Sequence, residues 1–202
     1  MSWRIDVKVI IAILFFTGTC LAEDNHKRRF YRENNAALIK LLNKERKQAN
    51  LKPLGSNAKL DVAAQSQTEW MAQAGKMEHL RGKQPSSLED FSRCDWHPLN
   101  RVVNAGYLEF AGIFNPINGG QACEIKNAKL VGENIAHGNP NSGAENIRVI
   151  VLGWMNSKGH RDAILDQHFK DVGVGYTKTS DGHVWWCTVF GCKLLDDQKT
   201  ER

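Results

Sequence analysis

Two histidines and a glutamate, His79, His160 and Glu133, are the side chains of this sequence best suited to chemistry. They lie far apart in the chain, so only the fold can bring them together. Neutral imidazole nitrogens are good ligands for a divalent cation, Zn²⁺ foremost. A carboxylate beside them could act as a base or a further ligand. Two imidazoles and one carboxylate are a thin set for a catalytic zinc. The alternative is purely structural: the same groups, with Ser157, could hydrogen-bond one another and hold a sheet to its helices. Ser157 and His160, at i and i+3, invite a nucleophile reading, but no triad acid and no nucleophile elbow accompanies them. Ser157 is expected instead as a polar residue at a helix end. His137 and His183 have no partner spacing and are expected on the surface.

These side chains must be carried by regular elements, and the chain offers several. Tyr31, Leu38, Leu41, Leu42 and Ala49 recur at helical spacing over 31–49. A second helix fits 57–74, with Leu60, Ala63, Ala64, Gln67, Trp70, Met71 and Ala74 on one side and Gly75 closing it. Residues 82–93 are polar and loop-like, 99–105 suit a short helix ending at Gly106, and 112–120 read as loop. A strand fits 131–136. Ser142 to Glu145 has the form of a capping box, opening a helix with Ile147, Ile150, Val151 and Trp154 on one stripe that stops near Ser157. A helical turn over 160–166, a strand over 170–177, an Asp181-Gly182 turn and a last strand over 183–190 follow. Trp185 and Trp186 alternate across that strand, with Trp186 expected in the core. Helices with a late antiparallel hairpin indicate an α+β domain.

The N-terminus predicts export. Arg4 and Lys8 precede an apolar run from Val9 to Phe16 and a small-residue stretch ending at Ala22, the three parts of a cleavable signal. That run is far short of the ~20 residues that span a bilayer. The predicted organisation is a signal peptide over 1–22, a charged leader over 23–34, one domain over 35–192 with an extended loop region at 82–129, and a polar tail over 193–202. The net charge is +5, mild enough for ordinary solubility or for attraction to anionic polymers. No basic run with interleaved aromatics suggests nucleic-acid binding, and no second apolar stretch reaches membrane length. Outside the signal, Cys94, Cys123, Cys187 and Cys192 remain, an even set that suggests two bridges in an oxidising compartment. If Cys94 pairs with Cys123, Cys187 is left for Cys192, which requires a bend near Phe190-Gly191; without it the pairs cross between loop and strand.

Four strings carry a resemblance. They are Met77-Glu78-His79; Gly132-Glu133-Asn134-Ile135-Ala136-His137-Gly138; Trp154-Met155-Asn156-Ser157-Lys158-Gly159-His160-Arg161; and Val172-Gly173-Val174-Gly175-Tyr176 followed by Trp185-Trp186. In this order they resemble the CAP superfamily (SCP domain), the group of cysteine-rich secretory proteins, insect antigens and plant pathogenesis-related proteins. The likeness is to its bacterial-type branch, which Arg101 with Ala105-Gly106-Tyr107 also resembles. It spans roughly 35–191. It implies a three-layer α-β-α sandwich with a small, mostly antiparallel sheet and a central cavity. Carried over, the cavity residues are His79, Glu133 and His160, with Ser157 where animal and plant members have a second acid. Ala163 stands where the bacterial branch often has Asn. The resemblance implies a secreted or cell-envelope protein, periplasmic in a Gram-negative cell, and a monomer. The expected role is to bind a lipid, a cell-wall component or a protein rather than to act as an enzyme. Its rivals are a zinc-dependent, peptidase-like hydrolase using His79 and His160 as ligands, and a structural envelope protein.

Overall fold

The computed structural model describes residues 33–83, 95–108, 131–143 and 145–192, and the fold set out here is that of the unit beginning at Asn35. The expected signal peptide, most of the charged leader, most of the 82–129 loop region and the tail lie outside the described residues, as do Cys94 and Cys123.

The described elements are α1 (33–48), β1 (Gly55–Ser56), α2 (Ala58–Ala74), α3 (Pro98–Asn104), β2 (Val131–Gly138), α4 (Ile147–Asn156), α5 (Lys158–Ile164), β3 (Asp171–Lys178) and β4 (Val184–Gly191). They form an α+β sandwich. The sheet runs in the order β1-β3-β4-β2, with β1 parallel to β3 and the other pairs antiparallel.

Local chemistry sets most boundaries. Asn57 caps α2 by accepting from the Lys59 amide, and Gly75 ends it at φ 64°, the left-handed turn that glycine adopts without strain. The Ser142–Glu145 capping box does not form. Ser142 donates instead to the Asn139 carbonyl at 2.7 Å, and Asn146 caps α4 through the Arg148 amide. Strand β2 runs on to Gly138, beyond the predicted 136, because His137 and Gly138 continue its pairing with Trp185 and Val184.

Side-chain alternation divides the core. One face of the sheet turns Ile135, Trp185, Cys187 and Val189 toward Leu60, Ala63, Ala64 and Met71 of α2 and Val102 of α3. The other carries Trp186 and Phe190, both fully buried. Helix α2 lies directly on β3: a Cβ at Gly173 would stand 2.0 Å from the Leu60 carbonyl carbon, and one at Gly175 2.4 Å from that of Ala64. The glycines permit this approach. Asp61 and Gln65, one turn apart on α2, then accept from the Val174 and Tyr176 amides at 2.8 and 3.0 Å, while Asn35 donates to the Val174 carbonyl. At the opposite edge, Trp154 donates its indole N–H to the Ile135 carbonyl at 3.1 Å. Side chains from the helices thus close both edges of the sheet, which would otherwise present unpaired backbone.

The cysteine expectation needs correction. Cys187 is a buried free thiol, so neither a Cys187–Cys192 bridge nor a crossed pairing through Cys187 is formed. Strand β4 keeps its register straight through Phe190 and Gly191, so no bend occurs. Five residues of strand span ~16 Å, against the ~7 Å limit for a disulfide. Burial, reinforced by the Glu133 carboxylate, pushes the Cys187 thiol well above its usual value. Because the thiolate is the reactive form, iodoacetamide is expected to leave Cys187 unmodified in native protein and to label it after urea unfolding. Peptide mass mapping checks this, and rapid native labelling would show the site is open.

Candidate functional site

The string Gly132-Glu133-Asn134 divides its side chains between the two faces of β2. At Gly132 an added Cβ would come within 2.8 Å of the Phe169 ring, so a side chain there has no room. Glu133 points to the α2 and α3 side. Asn134 points the other way and donates to the His160 carbonyl at 3.0 Å, fixing the start of α5. Because β2 is an edge strand, residues from both layers can meet around it.

Glu133 is the centre of the cluster. Its Oε1 lies 2.9 Å from His79 Nδ1, and its Oε2 accepts from Arg101 Nη2 at 2.6 Å and from the Cys187 thiol at 3.6 Å. The Glu133 and Arg101 side chains are 2% and 1% exposed, whereas His79 is 46% exposed. Burial alone would raise the Glu133 pKa. The hydrogen bond from His79 and the charge and hydrogen bond of Arg101 outweigh it and hold the carboxyl below its usual 4.5. An ionised carboxylate only accepts, so His79 Nδ1 carries the proton that it donates to Glu133, and a neutral ring so oriented presents Nε2 as its acceptor.

The segment carrying His79 has no regular structure of its own and is fastened at several points. Gln67 donates to the Glu78 carbonyl at 2.6 Å. Arg81 donates to Gln67, Asp95 and Ser66 at 2.8, 3.2 and 3.0 Å, and its guanidinium lies 5.8 Å over the Trp70 ring. Arg101 donates to the carbonyls of His79 and Asp95 at 3.2 and 3.1 Å. Its Nε meets no acceptor among the described residues. His97 caps α3 by accepting from the Leu99 amide on Nδ1. Burial and the Arg101 charge lower its pKa, in keeping with a neutral accepting ring.

Of the residues expected in the cavity, His79 and Glu133 are in direct contact. His160 is half-buried, and burial together with the nearby His79 lowers its pKa. Ser157 ends α4 and begins α5, and its side chain makes no capping bond; it is the helix-end residue expected from its spacing. Arg101, Arg81 and Cys187 join the cluster without having been expected there. Arg101 was marked in the sequence by its place in the Arg101…Ala105-Gly106-Tyr107 resemblance, and it is also a charge among Leu99, Val102 and Val103 on a short helix, where an apolar residue would pack. His137 and His183, expected to be unpartnered, meet each other at 2.8 Å.

The donor set fits zinc poorly. Among the described residues, no group of three or more His, Cys, Asp or Glu side chains is placed to hold a metal ion. Both Glu133 oxygens are already engaged, which leaves at most two imidazoles. Among the described residues, too, no helix is long and apolar enough to cross a membrane.

Comparison with known proteins identifies the family and the fold. The family model described as the cysteine-rich secretory protein family, CAP, matches residues 39–192. A curated relative, YkwD of Bacillus subtilis (strain 168), is 27% identical over 148 residues, covering 73% of this chain and 43% of that protein. This chain therefore spans less than half the length of that relative. An extracellular protein containing an SCP domain from Bacillus anthracis superposes with a TM-score of 0.56 at 20% identity, covering 82% of this chain and 42% of that one. An outer surface protein of Borrelia burgdorferi superposes with a TM-score of 0.54 at 16% identity, covering 96% and 100%. At these identities the likeness establishes the fold.

Proposed function

Since the chain belongs to the cysteine-rich secretory protein (CAP) family, we propose that it works outside the cytoplasm as a binding domain whose recognition group is the His79 imidazole, and not as a hydrolase. The observation that carries this reading is the engagement of Glu133. A general base must reach a substrate proton or an attacking water. Glu133 is buried, with both oxygens held by His79, Arg101 and Cys187. It orients His79 instead, as carboxylates behind functional histidines do. The half-exposed ring then offers Nε2 as an acceptor for a hydroxyl or amide proton of a ligand. Met77 and Leu80 beside it are exposed apolar side chains and suit an amphiphilic lipid, a wall polymer or a peptide. The signal-like N-terminus and the extracellular and outer-surface character of the structural neighbours support a site of action outside the cytoplasm.

Co-sedimentation of the protein with phosphatidylglycerol vesicles, and separately with insoluble cell-wall polymer, tests this. At least one probe is expected to bind, and His79→Ala to weaken it ~10-fold, the loss of about one good hydrogen bond. His79 is half-exposed, so the fold should survive the change. Binding that is indifferent to His79→Ala, or an esterase or peptidase turnover abolished by it, would overturn the reading.

A further inference from the structure

A second histidine pair lies at the far end of the β2–β4 ladder, away from Glu133. His137 is the penultimate residue of β2 and stands opposite Trp185; His183 immediately precedes β4. Their facing nitrogens, His137 Nε2 and His183 Nδ1, are 2.8 Å apart. The ring planes differ by 9° and the centroids are 5.0 Å apart. The rings therefore meet edge to edge in nearly one plane and share one proton in a hydrogen bond. One face of His137 lies against the Trp185 ring, at 3.9 Å and 25°, and the Trp185 body is buried. His137 itself is exposed, so its other face is turned to solvent. The backbone of His183 is held as well: its carbonyl accepts from the Thr179 amide at 2.9 Å and its amide donates to Asp181 at 3.3 Å.

We propose that His137 and His183, backed by Trp185, form a stacking platform for a neutral sugar ring, a glycan subsite separate from the Glu133 cluster. The face of an aromatic ring is electronegative. One face of a pyranose is lined with axial C–H groups, which are weakly electropositive and suit it. The two coplanar rings make a flat surface longer than a single imidazole, enough to underlie a pyranose ring and the oxygens at its two ends. That surface is already ordered. Trp185 sets the plane of His137, and the shared proton holds His183 in the same plane, so little ordering is left for a ligand to impose.

The rim of the platform suits hydroxyl groups. In a neutral pair, the ring that donates across the bridge has a bare outer nitrogen, and the ring that accepts carries its proton on the outer one. His137 Nδ1 and His183 Nε2 therefore always offer one acceptor and one donor, in one order or the other. Neither meets a partner among the described residues. A hydroxyl both donates and accepts, so a hydroxymethyl group or the adjoining sugar of a chain can use either order. Burial and His183 lower the His137 pKa, in keeping with a neutral face. The surroundings favour a neutral ligand over a phosphate or a nucleotide. The charge of Asp181 reaches His137, and the neighbouring Lys178 is paired with Glu145, which offsets its positive charge.

The trimer of N-acetylglucosamine and, separately, cellotriose, each titrated into the full chain, test this. Nuclear magnetic resonance follows the carbon–proton signals of the histidine rings and the transfer of saturation to the sugar. At least one sugar is expected to bind with a dissociation constant of ~1 mM, shifting the His137 and His183 rings and saturating the axial C–H protons of one sugar unit. His137→Ala and His183→Ala should each weaken binding ~10-fold, the loss of one stacked ring. His137→Phe keeps a flat ring against Trp185 and should stay within ~3-fold of the parent. His168→Ala, at an exposed ring paired with Asp166, should leave binding unchanged. Circular dichroism confirms that each variant is folded. The proposal is overturned if neither sugar binds at ~20 mM, if the alanine variants bind as the parent does, or if His137→Phe loses as much as His137→Ala. It also fails if the shifts fall on His79 and not on the pair, an outcome that leaves the His79 reading standing.

Discussion

Gly173→Ala is expected to lower the unfolding free energy by at least ~3 kcal/mol, the upper part of the usual range for overpacking a core. The new methyl would have to share space with backbone, at 2.0 Å from the Leu60 carbonyl carbon and 2.2 Å from the Asp61 amide nitrogen. A side chain can swing away from such a clash; a helix backbone cannot. The relief must come from lifting α2 off β3. That separates Asp61 from the Val174 amide and Gln65 from the Tyr176 amide, leaving strand-edge donors without partners. One methyl therefore disturbs packing and edge closure together. Gly153→Ala makes the contrast within the same protein. Gly153 lies in α4, where an added Cβ meets nothing within 4 Å, so alanine there should stabilise by up to ~1 kcal/mol through helix propensity. Urea unfolding of both variants reads the difference directly. A Gly173→Ala protein within ~0.5 kcal/mol of the parent, the usual span of an uneventful surface change, would show that α2 does not rest on this strand.

What the sequence could disclose depended on how local each cause was. Helix α2 was legible to within a residue because Asn57 and Gly75 mark its ends through their own backbone and side-chain chemistry. The β3–β4 hairpin was legible because Asp181-Gly182 makes its turn and Gly182 takes φ 85°. The Ser142 capping box was misread because two local partners competed with it. Asn139 captured the Ser142 hydroxyl, and Asn146 was the better placed cap. The pairing of Gly173 and Gly175 with α2 was not legible at all. A glycine on alternate strand positions states that something comes close, but not what. The site divides in the same way. His79 and Glu133 were found through recognisable strings, yet their contact, and the role of Arg101 between them, depend on a fold-level meeting of α3 with β2. The His137–His183 contact arises from strand register, and single-residue spacing carries no trace of register.

Arg101→Ala is expected to cost ~3–5 kcal/mol, the penalty for leaving one member of a buried ion pair without its partner. Arg101 is 1% exposed and Glu133 2%, so water cannot readily replace the guanidinium. The same substitution releases the carbonyls of His79 and Asp95, which hold the site loop against α3. The loss should depend on pH in a defined direction. The Glu133 carboxyl lies below its usual 4.5 in the folded protein. A depressed carboxyl contributes stability that is present above the unfolded value and lost as pH falls through the folded one. The parent therefore sheds this contribution below about pH 4.5, while Arg101→Ala has less of it to shed. The gap between the two proteins is expected to be widest near neutral pH and to narrow in acid. A purely steric role for Arg101 would give a gap that does not move with pH. Arg101→Met combined with Glu133→Leu removes both charges and should recover much of the loss, because an apolar pair of similar bulk incurs no ionic desolvation. If the double variant is as unstable as the two single changes added together, the two residues are not coupled. In that case His79 is oriented by something other than a carboxylate held in place by Arg101.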